Sequence, residues 1–304
     1  MIVEPLLKHV DKLSLFFEDI VRCWDERGGG PGLREVLEQK QQEIQTQKIS
    51  GIMAFKNTAP IGFSWVDLVS ENYGNIVLHT FQDEECEALA ESAIKEGLLK
   101  GRLLELIQFR PNDLYWKTFT RYGYRDNFRQ RMGMELTEET VPSPSIPPDI
   151  GFEPMSSDHI PETCVISYEA HQISKDQEGY PDIQSVEKRI GLEKRVFSGL
   201  FGKVITPASV VMRFKGHIIG FIVNVEIQCW GYEKVPWIFD ISIKPEYHGL
   251  GYGRLLLLHS LAILQEMGYP VVGLAVTLSN THALSLYEKM GFQLVEQFYE
   301  FVER

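Results

Sequence analysis

Glycine takes every second position in His248-Gly249-Leu250-Gly251-Tyr252-Gly253, and the apolar run that opens Arg254-Leu255-Leu256 follows at once. Glycine lets a backbone turn tightly and approach a ligand closely, and a helix start offers unpaired N–H groups at the positive end of its dipole. That combination suits an anion. A turn that only packs a helix explains one glycine and explains three poorly. The dinucleotide fingerprint G-x-G-x-x-G early in a βαβ unit is a worse match, because this loop is G-x-G-x-G, lies late in the chain and follows a hairpin. Downstream, Asn280, Ala283 and Tyr287 fall at i, i+3 and i+7, which is one helical face, and Asn280 suits the N-cap. No cysteine or serine nucleophile motif is present. Cys23, Cys86, Cys164 and Cys229 are scattered without a CxxC pair, which argues against a zinc site and a disulfide framework.

The elements that must position these residues are legible in the second half. Its strands and helices read in the order β-α-α-β-β-β-α-β-α-β. A hairpin turns at Lys215-Gly216, and a mostly apolar strand, YPVVGLAVT, precedes the Asn280 helix. The first half repeats this order in worn form: two helices, a hairpin, a strand GNIVLHTF, then helix, strand, helix and strand. WKTFTRYGYRD parallels LSLYEKMGFQL, but QDEEC stands where the glycine loop would be, and its carboxylates would repel a phosphate. Between the halves, prolines at 142, 144, 147 and 148 predict a semi-rigid linker. The predicted partition is 1–135, linker 136–150, and 151–304.

With 304 residues, 44% hydrophobic and 24% charged, the chain has the composition of a globular protein of two domains. Its net charge of −12 is spread over both halves and offers no basic surplus for nucleic acid. No run approaches the ~20 apolar residues of a membrane span, and the N-terminus lacks a signal-peptide pattern, so a cytoplasmic address is expected.

On the loop, on the Ile-Lys-Pro-Glu-Tyr before it and on SNTHALSLYEKMGF after it, residues 152–304 resemble the GCN5-related N-acetyltransferase (GNAT) superfamily. His248 departs from the family's Arg or Gln. The resemblance implies an α/β fold: two tandem domains, each a mixed central sheet flanked by helices, the first a degenerate copy without a coenzyme loop. It implies acetyl-CoA as cosubstrate and transfer of an acyl group to an amine by direct attack. Coenzyme contacts would come from Ile241, Ser242 and Ile243 on the preceding strand, from His248, Gly249, Leu250, Gly251, Tyr252, Gly253 and Arg254, and from Asn280, Ala283 and Tyr287. A backbone N–H around Ile243 would polarise the acyl oxygen, and Tyr287 would protonate the leaving thiolate. Asp240 is the first candidate base and Glu226 the second; no metal is required. Trp230 and Trp237 line an acceptor pocket or pack in the core. The rival reading is a non-catalytic acetyl-CoA-binding or regulatory protein. The acceptor stays open among small amines, amino acids, aminoglycoside-like molecules and protein amines, and the first half is left either to shape the acceptor cleft or to form a dimer surface.

Overall fold

The computed structural model describes residues 1–27, 30–174 and 179–303. The chain forms two compact units, one of residues 1–127 with 298–304, the other of residues 128–297.

The first unit contains β1 (Ile2–Pro5), α1 (Ser14–Asp25), α2 (Leu33–Gln45), β2 (Ser50–Lys56), β3 (Ala59–Ser70), β4 (Tyr73–Thr80), α3 (Cys86–Lys95), β5 (Leu103–Gln108), α4 (Asp113–Arg121) and the start of β6 (Arg125–Glu135). The sequence reading, which opened this half on two helices, missed β1. Residues Leu6–Leu13 instead form 3-10 turns broken by a non-helical His9, and the α-helix starts at Ser14.

The second unit contains most of β6, β7 (Ile150–Pro154), α5 (Ile160–Ser174), α6 (Val186–Phe197), the two-residue β8 (Lys203–Val204), β9 (Val210–Phe214), β10 (His217–Cys229), β11 (Tyr232–Ile243), α7 (Tyr252–Glu266), β12 (Val271–Thr277), α8 (Thr281–Lys289) and the first half of β13 (Gln293–Val302). The hairpin at Lys215-Gly216 forms as read, with φ of 49° and 86° at the two turn residues.

The compact units redraw the predicted boundaries. In the first unit the strand order is β1-β2-β3-β4-β5 and then the last residues of β13, where Glu300, Phe301 and Val302 pair antiparallel with Glu105, Leu104 and Leu103. In the second it is β7-β9-β10-β11-β12 and then β6, whose residues Arg129–Glu135 pair antiparallel with Thr277–Val271. Each unit therefore includes a strand that chain order assigns to the other half. Short-range sequence patterns cannot reveal this, since either strand has the alternation that either edge needs. The proline-rich stretch lies within the second unit, between β6 and β7. It is anchored there: Leu136 N–H donates to the Pro270 carbonyl at 2.9 Å, and Val141 is buried in the core.

Phe301 is fully buried against Phe119, their ring centroids 4.9 Å apart. Phe301→Ala is expected to destabilise the first unit by about 3–5 kcal/mol. Hydrogen exchange should then lose protection in β4 and β5; loss confined to β12 would contradict the observed strand exchange.

Candidate active site

The glycine loop has the conformation its composition demands. Gly249 and Gly251 sit at φ of +75° and +85°, where a side chain is strained, and an added Cβ at either would meet nothing within 4 Å. Gly253 differs: its φ is ordinary, and a Cβ there would touch Ile243 and Leu286 at normal packing distance. Gly251 is the N-cap of α7 and supplies no side-chain cap. The first backbone bond across the helix start is Leu255 N–H to the Gly251 carbonyl, 3.0 Å, so the N–H groups of Tyr252, Gly253 and Arg254 precede it and are left for another acceptor. His248, in place of the family's Arg or Gln, ties the loop down by a 2.7 Å hydrogen bond between Nε2 and the Ile243 carbonyl. Leu250 is exposed at the loop tip.

The strand before the loop parts from its neighbour. Parallel β11 and β12 pair at Trp237–Gly273 and Ile238–Leu274 and no further. On the other edge, Val223 pairs with Asp240 but Asn224 pairs with Ile238, so Phe239 is an extra residue, a β-bulge. The bulge shifts the alternation. Ile238, Ile241 and Ile243 pack on the core shared with α7, while Phe239 faces the opposite core and Asp240 faces α5 and α6. Lys244 N–H donates to the Ile219 carbonyl on β10 at 2.8 Å. Successive N–H groups along a strand point to opposite edges, so those of Ile243 and Ile241 point to the edge that β12 has left.

Asp240 lies in a buried polar cluster. Ser167 on α5 donates to its Oδ2 at 2.5 Å and Ser242 to its Oδ1 at 2.9 Å. Arg189 on α6 donates to the Ser167 hydroxyl and stands 3.8 Å from Asp240 Oδ2; His171 Nε2 is 3.9 Å from Oδ1. Glu193 is one helical turn beyond Arg189 and buried, and its Oε1 has no hydrogen-bond partner. Burial, and then the nearby Asp240, push the Glu193 carboxyl up to about 8, against the pull of Arg189. Burial likewise pushes the Cys164 thiol up to about 12, which removes it as a nucleophile at neutral pH. Sequence reasoning missed Ser167, Arg189 and Glu193. Arg189 and Glu193 at i and i+4 read as an ordinary solvated ion pair; the one available signal was that they share a helical face with buried Val196.

Tyr287 is buried on α8 among the core residues of α7 and β12, edge-on to Phe292 at 5.7 Å. Asn280 caps α8 by accepting from Ala283 N–H at 3.2 Å. Glu226 does not join the site. It pairs in register with Pro236, seven residues from Ile243 along β11, roughly 23 Å at strand rise. Its Oε2 accepts from Tyr269 at 2.5 Å; burial, and then this bond, push that phenol up to about 12. Trp230 and Trp237 serve packing: a Cβ on Gly273 would strike both rings at 2.6–2.7 Å.

The first unit has the same framework without these features. β4 and β5 stay paired over six residues, Tyr73–Leu78 against Leu103–Gln108, and β3–β4 pairing has no shift between Gly62 and Leu68. Asn112 caps α4 as Asn280 caps α8, but seven residues on stands Phe119, not a tyrosine. The turn before α3 carries Asp83, Glu84 and Glu85. Among the described residues no group of three or more His, Cys, Asp or Glu is placed to hold a metal, and no helix is long and apolar enough to cross a membrane.

Residues 182–292 match the acetyltransferase (GNAT) family model. The ribosomal protein bS18-alanine N-acetyltransferase of Escherichia coli is 40% identical over 55 residues, 18% of this chain and 37% of that protein. The mycothiol acetyltransferase of Thermomonospora curvata is 44% identical over 60 residues, 20% of each chain. This chain thus spans well under half the length of these curated relatives. Among solved structures, a GCN5-related N-acetyltransferase from Sphaerobacter thermophilus superposes with a TM-score of 0.55 at 15% identity, covering 87% of this chain and 84% of that one. A tandem GNAT protein from the clavulanic acid biosynthesis pathway gives 0.54 at 10% identity, covering 99% and 98%. These likenesses establish the fold.

Two outcomes follow for the site. Gly251→Ala should cost about 1–2 kcal/mol of stability from its left-handed φ, read by denaturant unfolding. For Glu193, the folded value lies above the unfolded value near 4.5, so the folded state holds the extra proton and stability falls as pH rises from about 4.5 to 8. Glu193→Gln should therefore unfold at higher temperature than the wild type at pH 8, with the difference shrinking toward pH 4.

Proposed function

We propose that this chain, which carries a GNAT-family domain over residues 182–292, transfers an acetyl group from acetyl-CoA to an amine through its second unit. The observation that carries this reading is the conjunction of an uncapped glycine-rich helix start with the strand edge left open beyond the Phe239 bulge. Gly249 and Gly251 leave room for a close anionic group, and the N–H groups from Tyr252 to Arg254 would hold the pyrophosphate of the coenzyme. Bound acetyl-CoA supplies an activated thioester, which an amine converts to an amide with release of the thiol.

The chain's own residues then have distinct tasks. Ile243 N–H, directed to the open edge, would stabilise charge on the acyl oxygen. Tyr287 would donate its phenolic proton to the departing sulfur. Asp240, oriented by Ser167 and Ser242, would accept the amine's proton directly or through water. The first unit fits a degenerate copy: its strands stay zipped, its turn is acidic, and Phe119 cannot donate a proton. The similar proteins include a ribosomal-protein alanine N-acetyltransferase and a mycothiol acetyltransferase, so the acceptor here is left as an amine.

Calorimetric titration should find one acetyl-CoA site per chain. Tyr287→Phe should keep that site while turnover on an amine acceptor falls about 10²–10⁴-fold. Two sites would contradict the reading of the first unit. Undiminished turnover in the variant would remove Tyr287 as the acid, and absence of binding would favour a scaffold without transferase activity.

A further inference from the structure

The first unit contains a cavity of about 420 Å³ between the end of α1 and the segment after β5, a volume in the range of small-molecule sites. Three guanidinium groups line it, those of Arg22, Arg27 and Arg110, together with the Glu26 carboxylate and the Cys23 thiol, and Phe109 and Pro111 supply apolar wall. Such a gathering of arginines is notable in a chain of net charge −12.

Their partners are unevenly shared. Arg110 is held by both oxygens of Asp19, at 3.1 and 3.2 Å, and by the Phe81 carbonyl at 2.9 Å. Arg22 pairs with the same Asp19 and with Glu26. Among the described residues Arg27 has no carboxylate partner; it reaches the carbonyls of Gln108 and Phe109, at 3.4 and 3.5 Å, the outer limit of hydrogen bonding. Two carboxyl groups thus serve three guanidinium groups. The buried His79 against Asp19 adds no charge at neutral pH, since burial pushes it down to about 4. An excess positive charge in a concave, partly apolar site attracts an anion more strongly than the same charge on open surface.

We propose that this cavity binds a small organic anion, a carboxylate or phosphate monoester on a short apolar body, with Arg27 as its principal contact. A guanidinium fork pairs with either head group through two parallel hydrogen bonds, and Phe109 and Pro111 would cover the body. The first unit, without a tyrosine at 119 or an opened strand pair, then keeps a ligand site without the parts for acyl transfer. The proposal does not depend on the second unit being active.

The test titrates benzoate and phenyl phosphate separately into the full-length chain in phosphate-free buffer, by calorimetry. At least one probe should bind with sub-millimolar affinity, and the one that does identifies the head group. Arg27→Gln should weaken it at least about tenfold, the effect of losing roughly 1.4 kcal/mol of charge-assisted bonding. Gly251→Ala, in the glycine loop, should leave it unchanged. A second readout needs no variant: bound probe should slow alkylation of Cys23, which lines the cavity, and not that of Cys229, as mapped by mass spectrometry. Failure of both probes to bind, equal binding in Arg27→Gln, or loss of binding in Gly251→Ala alone would each overturn the proposal.

Discussion

Strands β11 and β12 hold together at two residue pairs and then separate, and the candidate site is built around that separation. One inserted residue lies at the point of separation. Phe239 bulges out of the β10–β11 ladder, which turns Asp240 toward α5 and α6, and beyond it one edge of β11 is unpaired by β12. An unpaired parallel edge would ordinarily be a liability, since buried backbone N–H groups need acceptors. In the proposed function the N–H groups of Ile241 and Ile243 would serve as donors for a ligand. The first unit supplies the contrast, because its ladder has no such insertion and its β4–β5 pairing continues to Gln108.

The polar cluster behind Asp240 shows how much a buried site depends on tertiary neighbours. Ser167, Arg189 and Glu193 come from two helices, and none is informative alone. Ser167 orients the Asp240 carboxyl group and is itself held by Arg189, while burial, against the pull of Arg189, keeps Glu193 protonated at neutral pH. Were Glu193 charged beside Asp240, one arginine would face two carboxylates in a desolvated space, an arrangement that costs stability.

The two units carry different features on a similar framework. One has the glycine loop, the opened strands and the tyrosine. The other has an acidic turn, a closed ladder and a phenylalanine, yet gathers arginines around a cavity. Each unit includes a strand from the other half of the chain, so neither half of the sequence is a complete folding unit.

The sequence by itself determined the order of elements in the second half, the loop at 248–253, the Asn280 cap and the helical face of Tyr287. These are local properties: glycine's tolerance of positive φ, a short side chain bonding its own backbone, and periodicity near 3.6 residues. It also foretold an acidic turn at 83–85 in the first half. Only the tertiary structure decided which strand joins each unit, that Glu226 lies far from Ile243 while Arg189 and Glu193 lie near Asp240, and that Trp230 and Trp237 pack over Gly273. Strand pairing and burial depend on partners far away in sequence. A one-residue bulge, which reverses the side to which the following residues face, leaves no mark in composition or period.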